Sequence, residues 1–347
     1  MINHFPYYNE AIPIRKGRKM CMNHTLGRSG IPVSPLGLGC WAIGGHFTLD
    51  GLPDGWGQVD DQESIKAIHA AMERGVTFFD TADAYGTGHS EEVLGRAVKG
   101  RRQEAVLATK FGFTNNEATK EVYSRHDVSP AYVRDACQRS LRRLGTDYID
   151  LYQIHVGSLS PEELESVIDT LNGLQQEGLI RSYGWSTWDA ARAEEFAQRS
   201  EAAAIQHPLN VLRDEPEIVS VCERYGLASI NNSPLAMGLL SGKFKADSKL
   251  PVTDVRGSGH EWVTYFQEGK AVPSFLSKLE AISEILTSGG RTMVQGALAW
   301  IWGRSPAAIP IPGFKTTIQV EDLTGAIGQG PLSESQMKEI DDILHSM

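Results

Sequence analysis

Asp80, Tyr85, Lys110 and His155 are the residues of this sequence best suited to do chemistry. Asp80, Lys110 and His155 each follow a short apolar run directly, and so do Ser186, Gln206 and Ser233. Buried strands that end repeatedly in a group able to ionise or hydrogen-bond say more than any one such group. A carboxylate, an amine, an imidazole and a phenol on neighbouring strand ends can face one cavity, and the chemistry open to them is proton transfer. A free tyrosine, with a pKa near 10, is a poor acid at neutral pH. An adjacent ammonium favours the phenolate and lowers that pKa, and an aspartate keeps the ammonium charged and in place. A histidine beside the phenol can orient a carbonyl oxygen. No serine or thiol stands in an evident nucleophilic triad.

Taken singly, each residue has a plainer explanation. Asp80 fits a turn or helix cap, Lys110 an amine snorkelling from a rim, and His155 a satisfied core histidine. Taken together these explanations weaken, because a buried lysine is costly without a carboxylate partner.

The elements that must position this set alternate along the chain. Strands are predicted at 36–41, 76–80, 105–110, 148–155, 180–186, 203–206, 227–233 and 307–311. Amphipathic helices are predicted at 61–74, 90–99, 130–144, 160–176, 190–198, 215–225, 274–286, 292–302, 318–327 and 333–345. Ser129-Pro130 and Ser160-Pro161 each supply an N-cap followed by a proline suited to the first turn. Repeated strand–helix units imply a parallel sheet, and their number suggests an α/β fold of the (β/α)8 TIM-barrel type, with a doubly wound sheet as its competitor. The stretch 238–273, rich in Gly, Ser, Asp and Lys, reads as a long functional loop.

Composition bounds the rest. The 347 residues are 41% hydrophobic and 22% charged, ordinary values for a globular protein. Lys+Arg 33 against Asp+Glu 43 gives a net charge of −10, which argues against nucleic acid or an anionic membrane as partner. Cys21, Cys40, Cys137 and Cys222 form neither a disulfide framework nor a zinc cluster, so no metal is expected and a cytoplasmic location is the simplest reading. Residues 1–22 contain a basic tract with no apolar stretch after it. They are expected to be a disordered leader, or to precede a start at Met20 or Met22, with a single barrel over 23–347.

Two glycine runs mimic cofactor motifs. Gly37-Leu38-Gly39-Cys40-Trp41-Ala42 fits a loose dinucleotide pattern, but no helix begins there; Gly238–Phe244 is a residue short of a P-loop.

With these residues assembled, the chain resembles the aldo-keto reductases. Phe78-Phe79-Asp80-Thr81-Ala82-Asp83-Ala84-Tyr85-Gly86 and Ser90–Gly95 look like that family's signature, and 139–155 resembles its central segment. Gly184-Trp185-Ser186-Thr187, Gln206 through Asn210, Ser233-Pro234-Leu235 and Ile311–Thr316 match further motifs in order. The loop around Gly238–Lys243 is similar to the microbial branch related to the potassium-channel β-subunits. The resemblance implies a (β/α)8 barrel, with a short N-terminal extension and C-terminal helices, that reduces aldehydes or ketones to alcohols with NADPH. Tyr85 would donate the proton, Lys110 with Asp80 would lower its pKa, and His155 would orient the carbonyl. Ser186, Thr187 and Gln206 would hold the nicotinamide carboxamide. Ser233, Leu235, Gly238, Ser241 and Lys243 would line the pyrophosphate. Gly313, Lys315, Thr316 and Gln319 would lie toward the adenosine 2′-phosphate, with Trp41 beside the pocket.

Asn232, Thr187 and Leu323 depart from the family pattern at cofactor positions. A non-enzymatic NADPH-binding subunit of a larger partner is the alternative reading, and a Schiff-base lyase using Lys110 is a third. Among the remaining residues, Trp185, Trp188, Trp300 and Trp302 read as core or rim packing. Asp83 reads as a helix-start residue, and Arg139, Arg142 and Arg143 as a solvated face. Phe111, Phe113, His126, Trp262 and Tyr265 hint at an aromatic substrate pocket.

Overall fold

The computed structural model describes residues 24–347; the leader reading for 1–22, with the alternative starts, falls outside them. Eight parallel strands form the centre: β1 (Gly37–Gly39), β2 (Phe78–Asp80), β3 (Val106–Phe111), β4 (Ile149–Ile154), β5 (Ile180–Ser186), β6 (Ala204–Pro208), β7 (Ala228–Asn232) and β8 (Ala308–Pro310). Each pairs with its chain neighbours in one sheet. A parallel bridge between Gly39 and Gly313 joins the first strand to the segment leaving the last, and the Gly39 N–H donates to the Pro312 carbonyl at 3.0 Å. The sheet therefore curls into a nearly closed barrel instead of lying open as a doubly wound sheet.

The first glycine run belongs to this closure. A Cβ on Gly39 would lie 2.8 Å from the Ile311 carbonyl oxygen, and one on Gly37 2.8 Å from the Ile311 side chain. Both glycines let β1 approach the segment after β8, so the dinucleotide pattern is accounted for by packing.

Around the barrel run α1 (Asp61–Glu73), α2 (His89–Val98), α3 (Pro130–Leu144), α4 (Pro161–Gln176), α5 (Ala190–Arg199), α6 (Pro216–Tyr225), α7 (Pro273–Thr287), α8 (Met293–Arg304), α9 (Thr317–Gly325) and α10 (Glu334–His345). The predicted caps are present. Ser129 accepts from the Tyr132 N–H, and Ser160 forms a reciprocal capping box with Glu163. Strand alternation sorts the interior. Val106, Ala108 and Leu151 pack inside the barrel, while Leu107, Phe111 and Tyr152 face the helices. That period of two puts Lys110 and Gln153 inside, above the apolar floor. Among the described residues no helix is long and apolar enough to cross a membrane.

Three regions differ from the sequence reading. His24–Thr25 and Pro32–Val33 form a hairpin whose flanking Leu26 and Ile31 pack with Phe78, Val106 and Ile230, closing the end of the barrel where the strands begin. Residues 112–128, between the predicted strand 105–110 and helix 130–144, contain the hairpin Phe113–Asn116/Glu121–His126. The latter strand pairs with a second hairpin, Thr48–Leu49/Leu52–Pro53, in a four-stranded sheet above the barrel mouth. Phe47, Ala84 and Val122 are buried together beneath it, so this sheet presses on the turn that carries Tyr85. The long stretch after β7 is mostly irregular as read, with a short hairpin at Phe266–Gln267/Lys270–Ala271.

Candidate active site

The four residues singled out from the sequence meet at the C-terminal mouth of the barrel. The Lys110 ammonium is fully buried and donates to the Asp80 carboxylate at 2.5 Å, to the Thr81 carbonyl at 2.9 Å and to the Tyr85 hydroxyl at 3.1 Å. The other Asp80 oxygen accepts from the Gln153 amide at 3.0 Å and the Gln206 amide at 2.9 Å. Lys110 is therefore no snorkelling rim residue: its donors are spent within the barrel. Burial is the largest influence on this amine and opposes its charge. Asp80 and Tyr85 outweigh burial, and the lysine titrates above its ordinary value. An amine held charged in this way is unsuited to Schiff-base attack.

Tyr85 and His155 stand edge to face, ring centroids 5.7 Å apart. Burial pushes the Tyr85 phenol above its ordinary value near 10, and Lys110 pulls it back without reversing the sign. The sequence argument counted only the lysine, and burial corrects it: the phenol keeps its proton at neutral pH, beside an ammonium that would stabilise the phenolate as it forms. His155 is held well below its ordinary value, first by burial and then by the Lys110 charge, so its imidazole is neutral. Its Nδ1 has no hydrogen-bond partner among the described residues. Burial likewise raises the Cys40 thiol, which lies in the fields of Asp80 and Lys110, so no thiolate competes here.

The wall beside the phenol is aromatic. Trp41 stacks on Tyr85 with centroids 6.0 Å apart, Trp56 meets Trp41 edge-on at 5.1 Å, and Trp262 lies 5.9 Å from Trp41. Phe113 packs against His155 at 5.1 Å. Of the other predicted pocket residues, Phe111 faces outward and stacks on Tyr152, Tyr265 is buried and bonds Asn210, and His126 meets Glu163. None of these contacts is with the phenol.

A second cluster lies beyond β7 and β8. Lys243, Arg256 and Lys315 lie within one another's fields. Burial, then Arg256, hold Lys243 below its ordinary value; burial does the same for Lys315 despite Asp254. Asp254 is committed to Arg256 through contacts of 2.8 Å and 2.7 Å. This excess of positive charge on a chain of net charge −10 fits an anionic ligand such as a dinucleotide phosphate. Beside it Met237 and Gly238 take left-handed backbone (φ 56° and 91°), and Ser241 donates to the Gly238 carbonyl at 2.7 Å. Lys315 donates to the Trp56 carbonyl. Thr316 and Gln319 cap α9 reciprocally. Thr187 donates to the Gly157 carbonyl, and Ser186 ends β5 beside Gln206. Gln206 has given its amide nitrogen to Asp80, which leaves its oxygen for a ligand.

Sequence reasoning missed several members. Gln153 lies on β4 two residues before His155, which follows that strand directly, so the period of two could have found it. Asp54, Asp254, Arg256 and His260 sit in irregular segments that carry no such signal. Asp83 caps no helix, since α2 begins after Gly88; instead its carboxyl is buried with no hydrogen-bond partner on either oxygen. Arg143 is not solvated but holds the fully buried Glu91 at 2.7 Å. Trp185 and Trp300 are core as read, and Trp188 is exposed.

The profile of the Aldo/keto reductase family matches residues 35–345. The chain is 32% identical over 333 residues to aldo-keto reductase YhdN of Bacillus subtilis, covering 93% of each chain. Among solved structures it is similar to the glycerol dehydrogenase AKR11B4 from Gluconobacter oxydans (31% identity, TM-score 0.77, 91% of this chain and 92% of that one). It is also similar to an aldo-keto reductase from Klebsiella pneumoniae in complex with NADPH (25% identity, TM-score 0.67, 93% and 95%).

Proposed function

The chain belongs to the aldo/keto reductase family, and on that premise we propose that it reduces small aldehydes or ketones to alcohols at the site built by Asp80, Tyr85, Lys110 and His155. The observation that carries the reading is the Lys110 ammonium, bound at once to the Asp80 carboxylate and the Tyr85 phenol. NADPH, when bound, supplies the hydride. The residues that would hold it are Ser186, Thr187 and Gln206 at one end, Ser233, Leu235, Gly238, Ser241 and Lys243 along the middle, and Gly313, Lys315, Thr316 and Gln319 at the other, with Trp41 at the pocket.

The chain's own residues then have separate tasks. The neutral His155 donates an N–H to the carbonyl oxygen and fixes its direction. Tyr85 gives that oxygen its proton as negative charge develops there. Lys110 stabilises the phenolate left behind, and Asp80, anchored by Gln153 and Gln206, keeps the ammonium in place. The aromatic wall keeps water from the reacting carbon.

The test is turnover of NADPH, followed by absorbance, with an activated aromatic aldehyde. Tyr85→Phe should lower kcat by about 10²–10⁴-fold with the fold intact. A wild type without turnover, or a variant equal to it, would sink the proposal.

A further inference from the structure

The aromatic wall is made of two segments far apart in the chain, and four contacts close it into a ring. The Trp41 indole N–H donates to the Asp54 carbonyl at 3.1 Å. The Asp54 carboxylate lies 3.3 Å from His260 Nε2, which also approaches the Pro53 carbonyl at 3.2 Å. His260 stacks on Trp262 at 5.2 Å and 27°, and Trp262 returns to Trp41 at 5.9 Å. The polar half of the ring is buried, Asp54 and His260 each being 9% exposed, whereas Trp262 is 47% exposed. The Asp54 oxygen facing His260 has no closer partner, so the two side chains are held together by their placement between the two segments. Trp262 lies in an irregular segment with no strand or helix to fix it. What pins it is the histidine behind it, and what pins the histidine is a carboxylate from the loop after β1.

Trp41 faces Tyr85, and Phe113 faces His155. A carbonyl held by Tyr85 and His155 must therefore send its substituent out between the Trp41–Trp262 side and the Phe113 side. We propose that Asp54 and His260 determine specificity: they hold Trp262 against Trp41 as one jaw of an aromatic clamp that favours carbonyl compounds with a flat aryl substituent over short aliphatic ones. His260 and Asp54 act through Trp262 and are positioning residues. The proposal rests on the carbonyl-reduction reading for its substrate.

The test compares kcat/KM for benzaldehyde and butanal in the wild type, Trp262→Ala, His260→Ala, the double variant and Trp262→Phe. Stacking of one ring is worth about a tenfold change. Trp262→Ala and His260→Ala should each lower the benzaldehyde-to-butanal ratio by about tenfold, chiefly through KM. The double variant should be no worse than either single one, because one residue acts through the other, and Trp262→Phe should restore most of the ratio. Equal losses for both aldehydes, an unchanged ratio, or additive single effects would overturn the clamp. Calorimetric binding of benzyl alcohol and butanol to the same proteins separates the two readings. If the wild type reduces nothing, the reduction reading falls, and the clamp stands or falls on whether Trp262→Ala and His260→Ala weaken benzyl alcohol selectively.

Discussion

Replacing Asp83 by Asn should shift stability in the variant's favour by an amount that grows with pH. Asp83 sits two residues before Tyr85, buried, with no side chain hydrogen-bonded to its carboxyl and only the adjacent Ala84 backbone favouring the charged form locally. Its neighbours are Glu91 from α2, Arg139 and Arg143 from α3, and the Tyr132 and Tyr152 rings. Burial, reinforced by Glu91, pushes its pKa from 3.8 to about 8 against the pull of the arginines. A carboxyl raised in the folded state contributes stability below its unfolded pKa and loses it as pH climbs toward the folded one. Between pH 5 and pH 8 the folded protein retains a proton that the unfolded chain has released, at a cost of about 1.4 kcal/mol per pH unit. Over those three units the wild type should lose about 4 kcal/mol relative to Asp83→Asn, whose amide does not titrate. Urea unfolding of both proteins at pH 5, 6, 7 and 8 measures this, and the fixed cost of burying an amide cancels from the pH dependence. A wild-type-minus-variant difference that is flat across the range would refute the reasoning, because the carboxyl would then be ionised in both states.

The Lys110–Asp80 pair should show the asymmetry of a buried ion pair. Lys110→Met should cost about 3–5 kcal/mol by leaving a buried carboxylate without its partner, and adding Asp80→Asn should recover much of that stability but no activity. His155 titrates well below the neutral range, so the reduction rate should show no inflection between pH 6 and pH 7 (about its ordinary pKa) that disappears in His155→Gln; finding one would contradict a neutral imidazole. Gly39→Ala would push a methyl to 2.8 Å from the Ile311 carbonyl. It should destabilise the barrel by about 2 kcal/mol in thermal or urea melts, and a neutral result would remove the closure argument.

Much of the site was legible because its signal is local. An apolar run that ends in Asp80, Lys110 or His155 marks a buried strand and its polar tip within a few residues, and parallel strands in a barrel bring those tips to one mouth whatever the loops do. Helix starts at Ser129 and Ser160 were equally readable, since a cap and its N–H partner lie within one turn. The sequence by itself therefore determined the repeating strand–helix class and the four groups at its strand ends, whereas closure into a barrel was decided by the contact of Gly39 with the segment after β8. Only the tertiary structure decided the balance of forces on them. The phenol's pKa depends on its burial among Trp41, Lys110 and His155, which come from three separate segments. Asp54 meets His260, and Trp56 pairs with Asp254, across most of the chain. Neither pairing leaves a periodic trace, because an irregular segment takes its shape from whatever packs against it. Gly39 looked like a cofactor motif until Ile311 came to lie against it. Patterns encode what a residue's near neighbours demand; burial, charge pairing and closure arise only when distant segments are brought together.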